Sequence, residues 1–158
     1  MESRFEVVPI GHVERPDSQL EPSEFFDPAR ESVIIIEPKW EAGLTGLEEY
    51  SHIVVLFWLD RAERPTDAPA LRPAEGRAAL PPVGLFAIRT PCRPNPIGVS
   101  VARLLHRDGN RLHVTGLDAW NGTPVLDLKG YNLRDDMRPD ATHPAWLERL
   151  WGIHDSER

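Results

Sequence analysis

The apolar residues of this chain fall into short, often β-branched runs rather than helical stripes. Phe5, Val7, Val8, Ile10 and Val13 outline a first strand from Phe5 to Val13. Ser32 to Glu37 is a β-branched run stopped by Pro38, and it reads as a buried strand. Ser51 to Asp60 is the most apolar strand; both its faces are apolar, so both require cover. Gly84 to Arg89 and Ile97 to Leu105 read as two more strands. After the hairpin turn Asp108-Gly109-Asn110, Arg111 to Leu117 returns in clean alternation. Leu112 and Val114 point inward there, and Arg111, His113 and Thr115 outward. Pro124 to Leu128 is the last core strand, and His143 to Trp151 a short terminal helix docked by Trp146, Leu147, Leu150 and Trp151.

The connections are polar and proline-rich. Glu14 to Glu31 holds Pro16, Pro22 and Pro28, and Trp40 to Tyr50 reads as a turn or a single short helical turn. Arg61 to Pro82, with Pro65, Pro69, Pro73, Pro81 and Pro82, is the least regular stretch; loops of this length are usually functional or disordered. Asn132 to Thr142 is a polar loop. About seven short strands with this punctuation imply an all-β fold with minor α content. A small closed or nearly closed barrel is the simplest way to hide the strand edges, as one domain over residues 1–158.

Composition agrees and narrows the class. A chain of 158 residues is long enough for one real core, and 16 prolines with 11 glycines argue against a helical bundle. A single cysteine excludes an internal disulfide framework and a cysteine-based zinc site, and favours a reducing compartment. No apolar run follows Met1-Glu2-Ser3-Arg4, so no signal peptide is expected, and Ile53 to Leu59 is too short to span a bilayer. The expectation is a cytoplasmic protein. The net charge of −7 opposes nucleic-acid binding at first sight. Between Gly84 and Arg134, however, seven Lys/Arg face three Asp/Glu, so that segment is electropositive.

Several chemistries are absent from the pattern. There is no G-x-G-x-x-G after a strand, no phosphate-binding G-x-x-x-x-G-K-[ST], and no G-x-S-x-G. The six histidines lack H-x-x-x-H spacing, so no metal is expected. What stands out is Arg89-Thr90-Pro91-Cys92-Arg93-Pro94-Asn95-Pro96-Ile97-Gly98-Val99-Ser100. Three prolines in six residues fix φ, remove three donors and push the preceding residues toward extended backbone. The result is a stiff connector presenting Arg89, Arg93 and Asn95, far more constrained than an ordinary surface turn.

This stretch resembles the T-R-S-P-x-R-P-N-P-I-G signature of the TsaA-like (TrmO) family. Gly46-Leu47-Glu48-Glu49-Tyr50-Ser51-His52, the strand to Trp58 and Leu117 to Lys129 fit the family's pattern in the same order. The resemblance implies a small β-barrel, S-adenosyl-L-methionine as cofactor, a homodimer, and methylation of the exocyclic amine of threonylcarbamoyladenosine in tRNA. It departs from the pattern where Asp60 stands for a usual His, Asn121 for a usual Asp and Gly130 for a usual Pro. A P-R-Q element is not evident between Val13 and Ser32. These departures bear on the acceptor more than on the fold.

Methyl transfer from a sulfonium asks the protein for position and matched electrostatics. Arg89 is the first choice for the methionyl carboxylate. Leu117, Asp118, Ala119, Trp120 and Asn121 form an irregular loop suited to an adenine edge, with Trp120 available for stacking, and Asp60 and Arg61 would face the same mouth. The bland reading of Asp118 is a turn former. Arg93 and Asn95 are assigned to substrate or RNA. Asp127 is the carboxylate expected to orient the acceptor amine, and Lys129 and Tyr131, at alternate positions, should share its face. The alternative for that face is a wet rim where Asp127 and Lys129 merely pair. Two other functions stay open: a methyltransferase with a small-molecule acceptor, and a protein that binds the cofactor without catalysis.

Overall fold

The computed structural model describes residues 5–15, 27–67 and 71–157. The strands are β1 (Gly11–Glu14), β2 (Glu31–Ile36), β3 (His52–Trp58), β4 (Arg72–Pro73), β5 (Pro82–Val83), β6 (Ile97–Asp108), β7 (Arg111–Thr115) and β8 (Pro124–Gly130). Two helices follow, α1 (Leu133–Asp136) and α2 (Ala145–Glu157). The chain divides into two compact units, residues 1–61 with 96–136 and residues 62–95 with 137–158.

The first unit is a closed barrel in the order β1-β2-β7-β6-β3-β8, every pair antiparallel. Alternation drives it. On β3, Ile53, Val55 and Phe57 are buried while His52, Val54, Leu56 and Trp58 are half-buried on the outside. Leu112 and Val114 of β7 point inward as the pattern implies. Closure pairs every strand on both sides, which satisfies the ladder donors and acceptors without an exposed edge.

Two local devices shape the barrel. Gly98 opens the inner row of β6, where a Cβ would overlap the Phe57 ring; the glycine of the proline motif is the seat of a core aromatic. On β8, Phe57 pairs with Val125 but Leu56 pairs with Asp127, leaving Leu126 as a bulge. The bulge inverts the alternation. Val125 and Leu128, three residues apart, both face the core, and Asp127 and Lys129 fall on the outer face.

Several expectations need correction. Gly84 to Arg89 is not a strand: Leu85–Ala87 is a 3-10 turn with Leu85 buried, preceded by the two-residue β5. The first strand is shorter than Phe5 to Val13: its backbone hydrogen bonds to neighbouring strands begin at Ile10, the strand proper at Gly11, and Phe5, Val7 and Val8 are exposed. The barrel has six strands, with β4 and β5 forming a separate two-stranded ribbon. Much of the Glu14 to Glu31 loop, and 68–70 of the Arg61 to Pro82 loop, lie outside the described residues.

In the second unit, Leu150 of α2 packs with Leu80 and Ala74, with Trp146, Leu147 and Ile88 around them. Trp151, expected to dock the helix, is instead 46% exposed and lies against His143. Ion pairs carry the rest. Arg77 grips Glu157 with both terminal nitrogens at 2.9 and 2.8 Å, its Nε reaches Glu75 at 3.1 Å, and His154 reaches Glu75 at 2.9 Å. Both glutamates are held below the ordinary carboxylate range: Glu157 by Arg77, and Glu75 by His154 and Arg77 acting against its partial burial. Among the described residues, no helix is long and apolar enough to cross a membrane.

Candidate functional site

The loop between β7 and β8 is built by alternation. Leu117 and Ala119 are buried in the barrel core, so their side chains are structural and only their backbone is available to a ligand. Asp118 and Trp120 face outward. Gly122, at φ 83, turns the chain so that its N–H donates to Val13 O at 2.7 Å and Val13 N–H donates to Thr123 O at 2.9 Å. Burial raises the Asp118 carboxyl above the usual range although the residue keeps solvent contact, and the Arg15 guanidinium partly offsets this.

Arg61, just beyond β3, reaches this loop. Its Nη2 donates to Asn121 O at 3.2 Å, and its guanidinium carbon lies 5.4 Å from the centroid of the Trp120 ring. Asp60 is exposed at the same end of β3, its N–H donating to Trp58 O at 2.9 Å. The fold thus gathers Asp60, Arg61 and Leu117 to Asn121 at one end of the barrel.

Arg15 belongs to this group although the sequence does not single it out. It is 8% exposed, its Nη1 donates to Ala119 O at 2.9 Å, and its backbone N–H donates to Asn121 Oδ1 at 3.0 Å. These partners lie 104 and 106 residues later in the chain, so no local pattern points to them.

Asp127 and Lys129 share the outer face of β8, whereas Tyr131 lies beyond its end at Gly130. Lys129 Nζ lies 2.6 Å from Asp127 Oδ2, and this carboxylate raises the Lys129 pKa. Lys129 therefore stays protonated and is unsuited to act as a base. Tyr131 follows the strand end; its N–H donates to His52 O at 3.0 Å, and its ring meets the His52 ring edge-on at 6.4 Å. At about 3.3 Å per residue, Tyr131 stands roughly 26 Å along β8 from Thr123. Within one chain, Tyr131 and the loop occupy opposite ends of the barrel, with Asp127 between.

The remaining assigned residues lie in the second unit. Arg89 and Asn95 are exposed, and neither makes a hydrogen bond or ion pair among the described residues. Arg93 is turned onto its own loop: its Nη1 donates to Ile88 O at 2.8 Å, with a longer contact to Thr90 O at 3.5 Å. The Arg93 guanidinium carbon also lies 5.7 Å from the Phe86 ring centroid. Among the described residues, no three His, Cys, Asp or Glu side chains are grouped to hold a metal.

Comparison with known proteins gives this geometry a family. Residues 22–137 match the tRNA-methyltransferase O N-terminal domain. A probable S-adenosyl-L-methionine-binding protein of Archaeoglobus fulgidus is 49% identical over 121 residues, covering 76% of this chain and 31% of that protein. A human tRNA (adenine(37)-N6)-methyltransferase is 34% identical, covering 66% of this chain and 23% of its own length. The crystal structure of TrmO from Pseudomonas aeruginosa superposes with a TM-score of 0.67 at 29% identity, covering 90% of this chain and 63% of that one. The chain therefore spans only part of these longer relatives, and over that part it belongs to the tRNA-methyltransferase O N-terminal domain family.

Proposed function

We propose that the chain is an S-adenosyl-L-methionine-dependent methyltransferase that acts on the exocyclic amine of a modified adenosine in tRNA, threonylcarbamoyladenosine being the specific acceptor. The observation that carries this reading is the convergence of Arg61, Trp120, Asn121 and Asp118 at one end of the barrel. These groups fit the cofactor. The backbone and Trp120 ring suit an adenine, the Asp118 carboxylate accepts hydrogen bonds from hydroxyl or ammonium groups, and Arg61 supplies a cation against a carboxylate. Arg89 is a second candidate for that carboxylate. When bound, the cofactor supplies an electrophilic methyl group on a sulfonium.

The protein's own residues then position and shield. Asp127, paired with Lys129, accepts a hydrogen bond from the acceptor amine and takes its proton as nitrogen gains the methyl group. Lys129 and Tyr131 orient the acceptor, and Asn95 reads it. The second unit has eight basic and seven acidic residues, whereas the barrel unit has ten and eighteen, so contacts to the tRNA backbone are assigned to the former. Incubation with tritiated cofactor and bulk tRNA tests the reading: label enters tRNA, and its absence from every tRNA refutes the activity.

A homodimer is part of this proposal. Ile97, Val99 and Val101 are 44%, 50% and 48% exposed on the outer face of β6, in register with Trp58, Leu56 and Val54 of β3. A twofold interface covers such a sheet face. A second copy also offers its Asp127 and Lys129 to the loop, which one chain keeps apart. Sedimentation distinguishes the states, since a mass of 17.9 kDa is the monomer. Restored turnover on mixing Arg61→Ala with Asp127→Asn chains would show the site to be shared.

The acid excess of the barrel favours one alternative, a small-molecule acceptor at the same cofactor site. Turnover without RNA and insensitive to salt distinguishes it, because phosphate contacts weaken steeply with ionic strength.

A further inference from the structure

We propose that Arg15 is a positioning residue for the cofactor loop: from the end of β1 it fixes the backbone of Leu117 to Asn121 in its ligand-ready form. This rests on the assignment of that loop to the cofactor.

The argument starts from burial. An arginine 8% exposed is costly unless its charge and donors are matched. Here the guanidinium donates to Ala119 O at 2.9 Å, and the backbone N–H of the same residue holds the Asn121 side chain at 3.0 Å. Asp118, the neighbour of Ala119, interacts electrostatically with the same guanidinium. One residue therefore restrains both sides of Trp120, whose own backbone is tied only by Thr123 N–H donating to Trp120 O at 3.2 Å, as far as the described hydrogen bonds go. The barrel's ladder does not perform this task, because β7 ends at Thr115 and β8 begins at Pro124. The eight residues between them take their shape from Leu117 and Ala119 in the core, from the Gly122 and Thr123 bonds to Val13, and from Arg15.

The charge has a second effect. The positive guanidinium opposes the rise that burial imposes on the Asp118 carboxyl. Arg15 therefore helps keep that carboxylate ionised on the face offered to a hydroxyl or ammonium group of the ligand.

The experiment measures binding of S-adenosylhomocysteine by calorimetry in the wild type, Arg15→Lys, Arg15→Met and Asn121→Ala, across acid to neutral pH. Amide hydrogen exchange at Ala119 to Thr123 is followed in the absence of ligand. Arg15→Met, which keeps the apolar stem, is expected to weaken binding about tenfold or more, the scale of a lost hydrogen bond from a charged donor. It is also expected to accelerate loop exchange and to move the acid limb of the binding profile to higher pH. Arg15→Lys restores the position of that limb and part of the affinity, because it retains the charge. If Arg15→Met does not fold, Arg15→Lys and Asn121→Ala still report, each removing one of the two restraints. Wild-type affinity together with wild-type loop exchange in these variants overturns the proposal. A wild-type chain that does not bind S-adenosylhomocysteine refutes the cofactor assignment instead; loop exchange that still accelerates in the variants then keeps the positioning role of Arg15 as a separate result.

Discussion

The barrel and the second unit are held by different forces. The barrel closes on itself through continuous ladders around an apolar interior, with Ile34, Ile53, Val55 and Leu112 fully buried. The second unit buries Ala74, Leu80 and Leu150, and relies on the Arg77, Glu157, Glu75 and His154 network and on proline-stiffened chain. Apolar burial responds chiefly to volume, whereas ion pairs between exposed groups respond to pH and salt. The barrel is thus expected to respond chiefly to hollowing of its core, and the second unit also to changes of pH and salt.

The largest effect is expected in the barrel. Phe57→Ala removes a 3% exposed ring that fills the space over Gly98, and should cost about 3–5 kcal/mol in denaturant unfolding. A loss under ~1 kcal/mol would mean that the barrel does not depend on a tightly packed interior.

Next comes a test of the two exposed arginine candidates, Arg61 of the barrel and Arg89 of the second unit. Arg89→Ala is expected to weaken cofactor binding by about 1.5–3 kcal/mol, the worth of a hydrogen bond between charged groups. Unchanged calorimetric affinity removes Arg89 from the site and leaves the carboxylate to Arg61.

A smaller and selective effect concerns pH. Glu75 and Glu157 have folded pKa values below their unfolded ones, so they stabilise above the unfolded value and lose that contribution as pH falls through the folded value. Amides of α2 should therefore exchange faster below about pH 4.5, the ordinary carboxylate range, before those of β3 do. Glu157→Gln should reduce that acid dependence, and parallel loss of α2 and β3 would erase the distinction between the units.

The smallest effect is at Asp118, whose folded pKa is raised. There the sign reverses: charging the group opposes folding, so its stability contribution declines as pH rises through the carboxylate range. Asp118→Asn should slightly raise the melting temperature at neutral pH, with the gain disappearing in acid. The same change should weaken cofactor binding if the carboxylate contacts ligand.

The barrel was legible because alternation and β-branching report which side of a strand is buried. Leu112 and Val114, or Ile53, Val55 and Phe57, declare their side without further context. Gly84 to Arg89 misled because Leu85 and Phe86 suit a strand, while the backbone there turns in 3-10 form and leaves Phe86 80% exposed. The grouping of Arg61 with the Leu117 to Asn121 loop followed from both flanking the same ends of strands. Arg15 was hidden because its hydrogen-bond partners lie over a hundred residues away. The stiffness of the proline segment was readable, but not that Arg93 would spend a donor on Ile88 O.

The bulge at Leu126 acts as a reading-frame mark in space. Upstream of it β8 is read in one phase, downstream in the other, and only the extra residue lets Val125 and Leu128 both sit inside while Asp127 and Lys129 remain outside. Pairing Leu126 regularly, with the sequence unchanged, would turn Asp127 inward and Leu128 outward, and so set a carboxylate and a leucine on the wrong sides of the wall. The spacing between these four positions therefore identifies the surface only when it is read together with the bulge.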